Sequence, residues 1–88
     1  MTGFKFLRSV RKTYNEQGLI YYSCACYATG GRRMRKKIDR LIESAGGDYA
    51  PALREYLTTG ASWVSVCDRH HISGATLDRI RRAFYNAW

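Results

Sequence analysis

Apolar positions recur at helical spacing through most of the last two thirds of the chain. Over residues 32–46, Met34, Ile38, Leu41, Ile42 and Ala45 fall on one face of a helix, and basic residues fill most of the rest. Gly46 and Gly47 then break the pattern. A second helix is expected after Asp48, which has the right chemistry for an N-cap. Pro51 lies in the first turn, where its missing N–H costs little, and Leu53, Tyr56 and Leu57 face inward. Gly60 suits the C-terminal stop. Ser62 is expected to cap a helix over Trp63–His70, and Ser73 one over residues 74–86, with Leu77, Ile80, Phe84 and Trp88 on one face.

The first 31 residues are less regular. Phe4, Leu7, Arg8 and Arg11 have the spacing of a short basic-sided helix over residues 4–14. Residues 19–28, LIYYSCACYA, fit a short strand or a buried helix equally by periodicity. We read them as an irregular segment or helix used in core or dimer contact, ended by Gly30-Gly31. The expected architecture is all-α, a single domain over 1–88 with four or five helices. Its parts are an N-terminal segment (1–31), a basic amphipathic helix (32–46), and a helix followed by a helix-turn-helix (48–88).

Charge narrows the partners. The 88 residues carry a formal net charge of +8, with 15 Lys and Arg against 7 Asp and Glu. Such an excess on so short a chain fits a polyanion: DNA, RNA, an anionic membrane surface or an acidic protein. A solvated, solubilising face is the plainer reading of any one basic run. The three cysteines, Cys24, Cys26 and Cys67, are odd in number, which argues against a disulfide framework and for a reducing, cytoplasmic setting. No apolar run reaches the roughly 20 residues that span a bilayer, so no membrane partner is expected. A domain this small has a modest core, which favours a homo-oligomer.

Residues 62–88 supply the parts of a helix-turn-helix in register. Val66 is the apolar residue of the first helix, and Cys67 the small residue where the two helices cross. Ile72 plugs the turn, and Leu77 and Ile80 point inward from the second helix. His71 stands where a turn glycine is common, so a left-handed backbone is expected there at some cost. With Leu77 and Ile80 inward, Ser73, Ala75, Thr76, Arg79 and Arg82 face outward, toward a major groove. Arg79 suits a bidentate contact to guanine, and Ala75 and Thr76 suit a thymine methyl. Arg81, Arg82 and Arg69 suit phosphates, and Asp78 is placed to pair with Arg81 or Arg82. Arg32, Arg33, Lys36 and Lys37 offer a second phosphate-contacting surface.

Residues 42–84 resemble the PapB family of small bacterial regulators of fimbrial operons. The likeness is carried by ALREYL (52–57), Gly60, Ser62, VCDRH (66–70) and ISGATLDRIRR (72–82), without a gap, over about half of the chain. It implies a cytoplasmic transcription regulator that binds operator DNA, often as an oligomer on repeated sites. The family's association with AT-rich, partly minor-groove recognition bears on which groove the last helix enters. The tail also resembles, more weakly, one type of lambdoid phage late antiterminator, which binds DNA and acts on RNA polymerase.

Other chemistries have less to stand on. Cys24, Cys26, Cys67 and His70 form a set of soft groups that zinc would accept, but the Cys-x-Cys spacing is uncommon and Cys67 already has a place in the core. His70 and His71 are adjacent on a helix and point apart. No nucleophile setting is evident, and carboxylates are few. We therefore expect neither an enzyme nor a cofactor. The alternative from another class is a small phage- or plasmid-encoded interaction protein that inhibits or modifies a nucleic-acid enzyme, such as RNA polymerase or another host protein, through its basic surface. Tyr21, Tyr22, Tyr27, Trp63 and Trp88 are residue types that suit such an interface.

Overall fold

The computed structural model describes residues 6–88. It is all-helical: α1 (Tyr14–Ala25), α2 (Arg32–Gly46), α3 (Ala50–Thr59), α4 (Trp63–His70) and α5 (Gly74–Ala87), with single 3₁₀ turns at Tyr27–Thr29 and Gly47–Tyr49. Among the described residues there is no strand, and no helix is long and apolar enough to cross a membrane.

Residues 19–28 resolve as the second half of α1 and the 3₁₀ turn after it. The start of α1 has a local cause. Thr13 is an extended N-cap whose hydroxyl accepts from the Glu16 N–H, while the Glu16 carboxylate accepts from the Thr13 N–H at 2.7 Å. This reciprocal capping box satisfies two backbone donors that the helix leaves free. It also holds the Glu16 carboxyl below its ordinary pKa, through the Thr13 backbone bond first and its hydroxyl second.

The helix expected over residues 4–14 is not formed where the chain is described. Phe4 lies outside the described residues, and residues 6–13 run as turns and bends. Leu7 and Val10 are nonetheless buried, so their burial comes from docking and not from a helical stripe. The docking device is Gln17, which is fully buried on α1. Its side-chain oxygen accepts from the Leu7 N–H at 2.8 Å, and its amide donates to the Leu7 carbonyl at 2.9 Å and the Lys12 carbonyl at 3.1 Å. A single amide thus does for this segment what a sheet ladder or a helix turn does elsewhere. Asn86 adds a tie from α5, accepting from the Arg11 N–H at 2.8 Å.

α2 buries Ile38 and Ile42 and leans on the core with Met34, Leu41 and Ala45, as its spacing predicts. It ends at Gly47, whose φ of 55° is one that L side chains rarely adopt. Asp48 does not cap α3. It sits within the 3₁₀ turn, and the Ala50 N–H bonds the Gly47 carbonyl, so the turn feeds α3 with a backbone already helical. Pro51 occupies the first turn of α3, and Gly60 closes it in the left-handed region at φ 74°. Ala50, Ala52, Leu53 and Leu57 are the buried face.

Ser62 and Ser73 cap α4 and α5, each accepting from the N–H three residues on. Between the two helices the chain reverses at His71, with φ 53° and ψ 45°, and the Ile72 N–H returns to the Cys67 carbonyl at 3.1 Å. Val66, Leu77 and Phe84 are completely buried, Ile80 and Ile72 nearly so, and Cys67 is partly buried beside them. α5 packs chiefly against α2, and also against α3 and α4.

Two variants test this account in opposite directions. Gln17→Leu keeps the volume but strands the Leu7 N–H and takes the Gln17 donor from the Lys12 carbonyl, while the Leu7 carbonyl keeps the Val10 N–H, and should cost about 2–4 kcal/mol in urea unfolding. His71→Gly removes a left-handed penalty of roughly 1–2 kcal/mol per L-residue against a glycine entropy cost of roughly 0.5–1 kcal/mol. It should therefore raise the thermal midpoint slightly; a lowered midpoint would mean that His71 contributes something its backbone angle does not explain.

Candidate nucleic-acid interface

The outward stripe of α5 carries Ala75, Arg79, Ala83 and Asn86, all exposed, with Arg82 at its edge half-buried. Ser73 is exposed at the helix start, and its hydroxyl donates to the Thr76 hydroxyl at 2.9 Å. Thr76 is half-buried on the same side. Of the expected outward set, Ser73, Ala75, Thr76 and Arg79 lie on this side, with Ser73 and Thr76 partly committed to capping, and Arg82 is half-buried at its edge.

The three other arginines expected at phosphates are placed differently. Arg81 is turned inward and only 7% exposed. Its guanidinium lies 4.5 Å from the Trp63 ring centroid, bonds the Asp78 carboxylate, and donates to the Tyr56 hydroxyl at 3.3 Å. It is not a surface cation, which corrects the assignment of Arg81 to phosphate. The cause is its position: four residues after Leu77 and three before Phe84, it falls on the buried face of α5. Arg82 is divided between Asp78, at 2.7 Å from its Nε, and the Ser9 hydroxyl. Arg69 is exposed but bonded to Glu55.

On α2 the outward stripe is Arg32, Arg33, Lys36 and Arg40, all exposed. Lys37 is half-buried, with its ammonium 4.2 Å from the Trp88 ring centroid, so of the expected set only Arg32, Arg33 and Lys36 stand free in solvent. Arg40 belongs with them. It is one helical turn from Lys36 on the same stripe, a spacing legible in the sequence.

The carboxylates decide which cations remain. Asp39 accepts from the Tyr27 hydroxyl at 2.6 Å and from Arg54 at 2.8 Å, linking the turn after α1 to α2 and α3. Glu55 takes both Arg69 and His70, the latter at 2.6 Å, tying α3 to the last turn of α4. Asp78 takes Arg81 and Arg82. Each carboxyl is held below its ordinary pKa: Asp39 by Tyr27 and then Arg54, Glu55 by Arg69 and then His70, Asp78 by Arg82 and then Arg81. Among the described residues, Arg8, Arg11, Arg32, Arg33, Lys36, Arg40 and Arg79 are exposed and have no carboxylate partner. Four of these seven lie on the outward stripe of α2.

The soft groups do not converge. Cys24 is buried, with its thiol pushed up to about 12 by burial, Cys26 is exposed, Cys67 is half-buried, and His70 is engaged by Glu55. Among the described residues no three of His, Cys, Asp and Glu gather as a metal would need.

Comparison with protein-family models, curated proteins and solved structures brings no match to the chain. The site therefore rests on its own residues.

The four depressed carboxyls, Glu16 together with Asp39, Glu55 and Asp78, give stability a defined pH dependence. A carboxyl whose pKa falls on folding stabilises fully above its unfolded value, here 3.8 for Asp and 4.5 for Glu, and the contribution is lost as pH falls through the folded value. The urea midpoint should hold steady from neutrality down to about pH 5 and then decline. Glu55→Gln should shrink that decline. An unchanged acid profile in this variant would remove Glu55 from the account.

Proposed function

We propose that the chain is a DNA-binding transcription regulator, with α4, the turn at His71 and α5 acting as a helix-turn-helix. The observation that carries this reading is the partition of α5. Leu77, Ile80 and Phe84 are sunk in the core while Ala75 and Arg79 face solvent, and Arg79 has no carboxylate partner among the described residues. A tight reversal that buries Val66 and Ile72 between the helices is what such a unit requires. The likeness of residues 42–84 to the PapB family supports the same reading and carries the expectation of operator binding in the cytoplasm, often by oligomers.

In this reading Arg79 reads a base edge, Ala75 and Thr76 flank it, and the α5 N-terminus with Ser73 sits at a phosphate. Arg32, Arg33, Lys36 and Arg40 add affinity through phosphates without adding sequence preference. Arg82 and Arg69 are available only by sharing with Asp78 and Glu55.

A second reading has an observation of its own. The outer side of α1 exposes Tyr14, Leu19 and Tyr22, at 62%, 60% and 44%. Apolar and aromatic groups on an outward face suit a protein partner, whether another copy of the chain or a nucleic-acid enzyme such as RNA polymerase.

Selection of bound sequences from random duplex DNA, followed by fluorescence anisotropy across a salt series, separates the two readings. For the regulator, Arg79→Ala should flatten sequence preference by about 1–3 kcal/mol. Arg33→Ala with Lys36→Ala should weaken all sequences alike and lower the salt slope by about 2. No enrichment in the selection, with no duplex binding at moderate salt, would turn the case to the interaction protein.

A further inference from the structure

Where α1, α3, α5 and the start of α4 meet, the structure leaves a cavity of about 290 Å³. That is close to the lower end of small-molecule sites, which run from roughly 300 Å³ upward. Its walls include Leu7 and Cys24 on one side, Tyr56 and Trp63 on another, and Arg81 and Tyr85 from α5. The aromatic walls are rigidly set: Tyr56 meets Trp63 edge-on at 5.1 Å and 87°.

The electrostatics of this cavity are one-sided. Arg81 is the charged residue in its lining, and no Asp or Glu shares that lining. Outside the lining, Asp78 neutralises Arg81 only in part, because the same carboxylate also serves Arg82. One carboxylate against two guanidiniums leaves positive charge over, and Arg81 is the more buried of the two: 9% side-chain exposure against 32% for Arg82. Among the described residues, the Arg81 Nε is a buried donor with no acceptor. Its Nη1 has only a long bond, 3.3 Å, to the neutral Tyr56 hydroxyl. Buried donors are rarely left unmet, and a guanidinium gains most from a charged acceptor. Burial raises the pKa of both the Cys24 thiol and the Tyr85 phenol, which keeps these two neutral.

We propose that this cavity is a binding site for a small aromatic carboxylate, whose ring lies among Tyr56, Trp63 and Tyr85 and whose carboxylate is received by Arg81. The volume suits a single ring bearing a carboxylate. Aromatic walls favour a planar ring over an aliphatic chain. The unmet guanidinium selects the anion over its neutral analogue.

The test uses the full chain with Trp88→Phe, so that fluorescence reports Trp63 alone, and titrates 4-hydroxybenzoate and indole-3-acetate against their amides and against acetate. Saturable quenching by an aromatic carboxylate, at least tenfold tighter than by its amide and absent with acetate, is the expected result. In parallel, backbone amide shifts of the unsubstituted protein should move at Tyr56, Trp63 and Arg81. Arg81→Met should abolish the preference for the acid. Because that variant could also loosen the core, Ala61→Leu, which adds bulk at the cavity wall and keeps the Arg81 guanidinium, is the second test and should block binding while leaving the melting curve cooperative. No saturable response to either carboxylate, an amide that binds as well as its acid, or full binding by Ala61→Leu would each overturn the proposal.

Discussion

The tight reversal at His71 sets the rotation of the last helix, and with it nearly everything the surface presents. α4 and α5 are separated by only three residues, His71, Ile72 and Ser73. Each residue turns a helix by about 100°. Lengthening or shortening the turn by one would swing Leu77 and Phe84 toward solvent and carry Arg79 toward the core. His71 accepts a left-handed backbone to avoid that, and Ile72, only 8% exposed, fixes the corner by burial. The cost at one residue is small beside the burial of Val66, Leu77, Ile80 and Phe84, at roughly 1.5–3 kcal/mol for each large side chain.

Charge follows from that rotation. α5 carries Arg79, Arg81 and Arg82 within four positions, and the helix sends them to three environments. Arg79 goes to solvent, Arg82 to the rim against Asp78 and Ser9, and Arg81 to an aromatic interior. A net charge of +8 therefore overstates what is on offer at the surface. Asp39, Glu55 and Asp78 each neutralise cations that hold elements together, and the exposed cations left over include Arg8 and Arg11 of the N-terminal segment, the outward stripe of α2 and Arg79. A guanidinium as buried as Arg81 is an expensive way to fill a core, and stacking on Trp63 with one shared carboxylate offsets only part of the desolvation. A methionine or leucine there would do the packing alone, so the arginine is hard to explain by stability.

Much of this was legible in the sequence, and the exceptions have causes. The spans of α2, α4 and α5 follow from apolar spacing and from Gly47, Ser62 and Ser73, because these helices bury one face and cap themselves with their own residues. α1 was harder because its outer side carries Tyr14, Leu19 and Tyr22 while its inner side carries Gln17, so hydrophobicity says little about which face is inside. The better signal was Thr13 followed by Glu16, a capping box that local chemistry specifies without regard to burial. Asp48 misled for the converse reason: a capping residue is only a cap where the backbone turns extended, and the Gly47–Tyr49 turn never does. Arg81 was assigned by residue type when its spacing from Leu77 and Phe84 already put it inside.

A chain of this size has physical cause to lean on polar devices. A core built from 88 residues is small, and an N-terminal segment whose described residues bury Leu7 and Val10 alone gains little docking from hydrophobic area. Gln17 closes that gap through directional bonds, and such bonds specify one position where apolar contact would tolerate several. Leu7 is held by Gln17 and at the same time lines the cavity that Arg81 also lines. The segment that sequence periodicity describes least well is thus a structural condition for the cavity. Loosening the Gln17 clamp should reach Arg81 through Leu7, without any change in α5 itself.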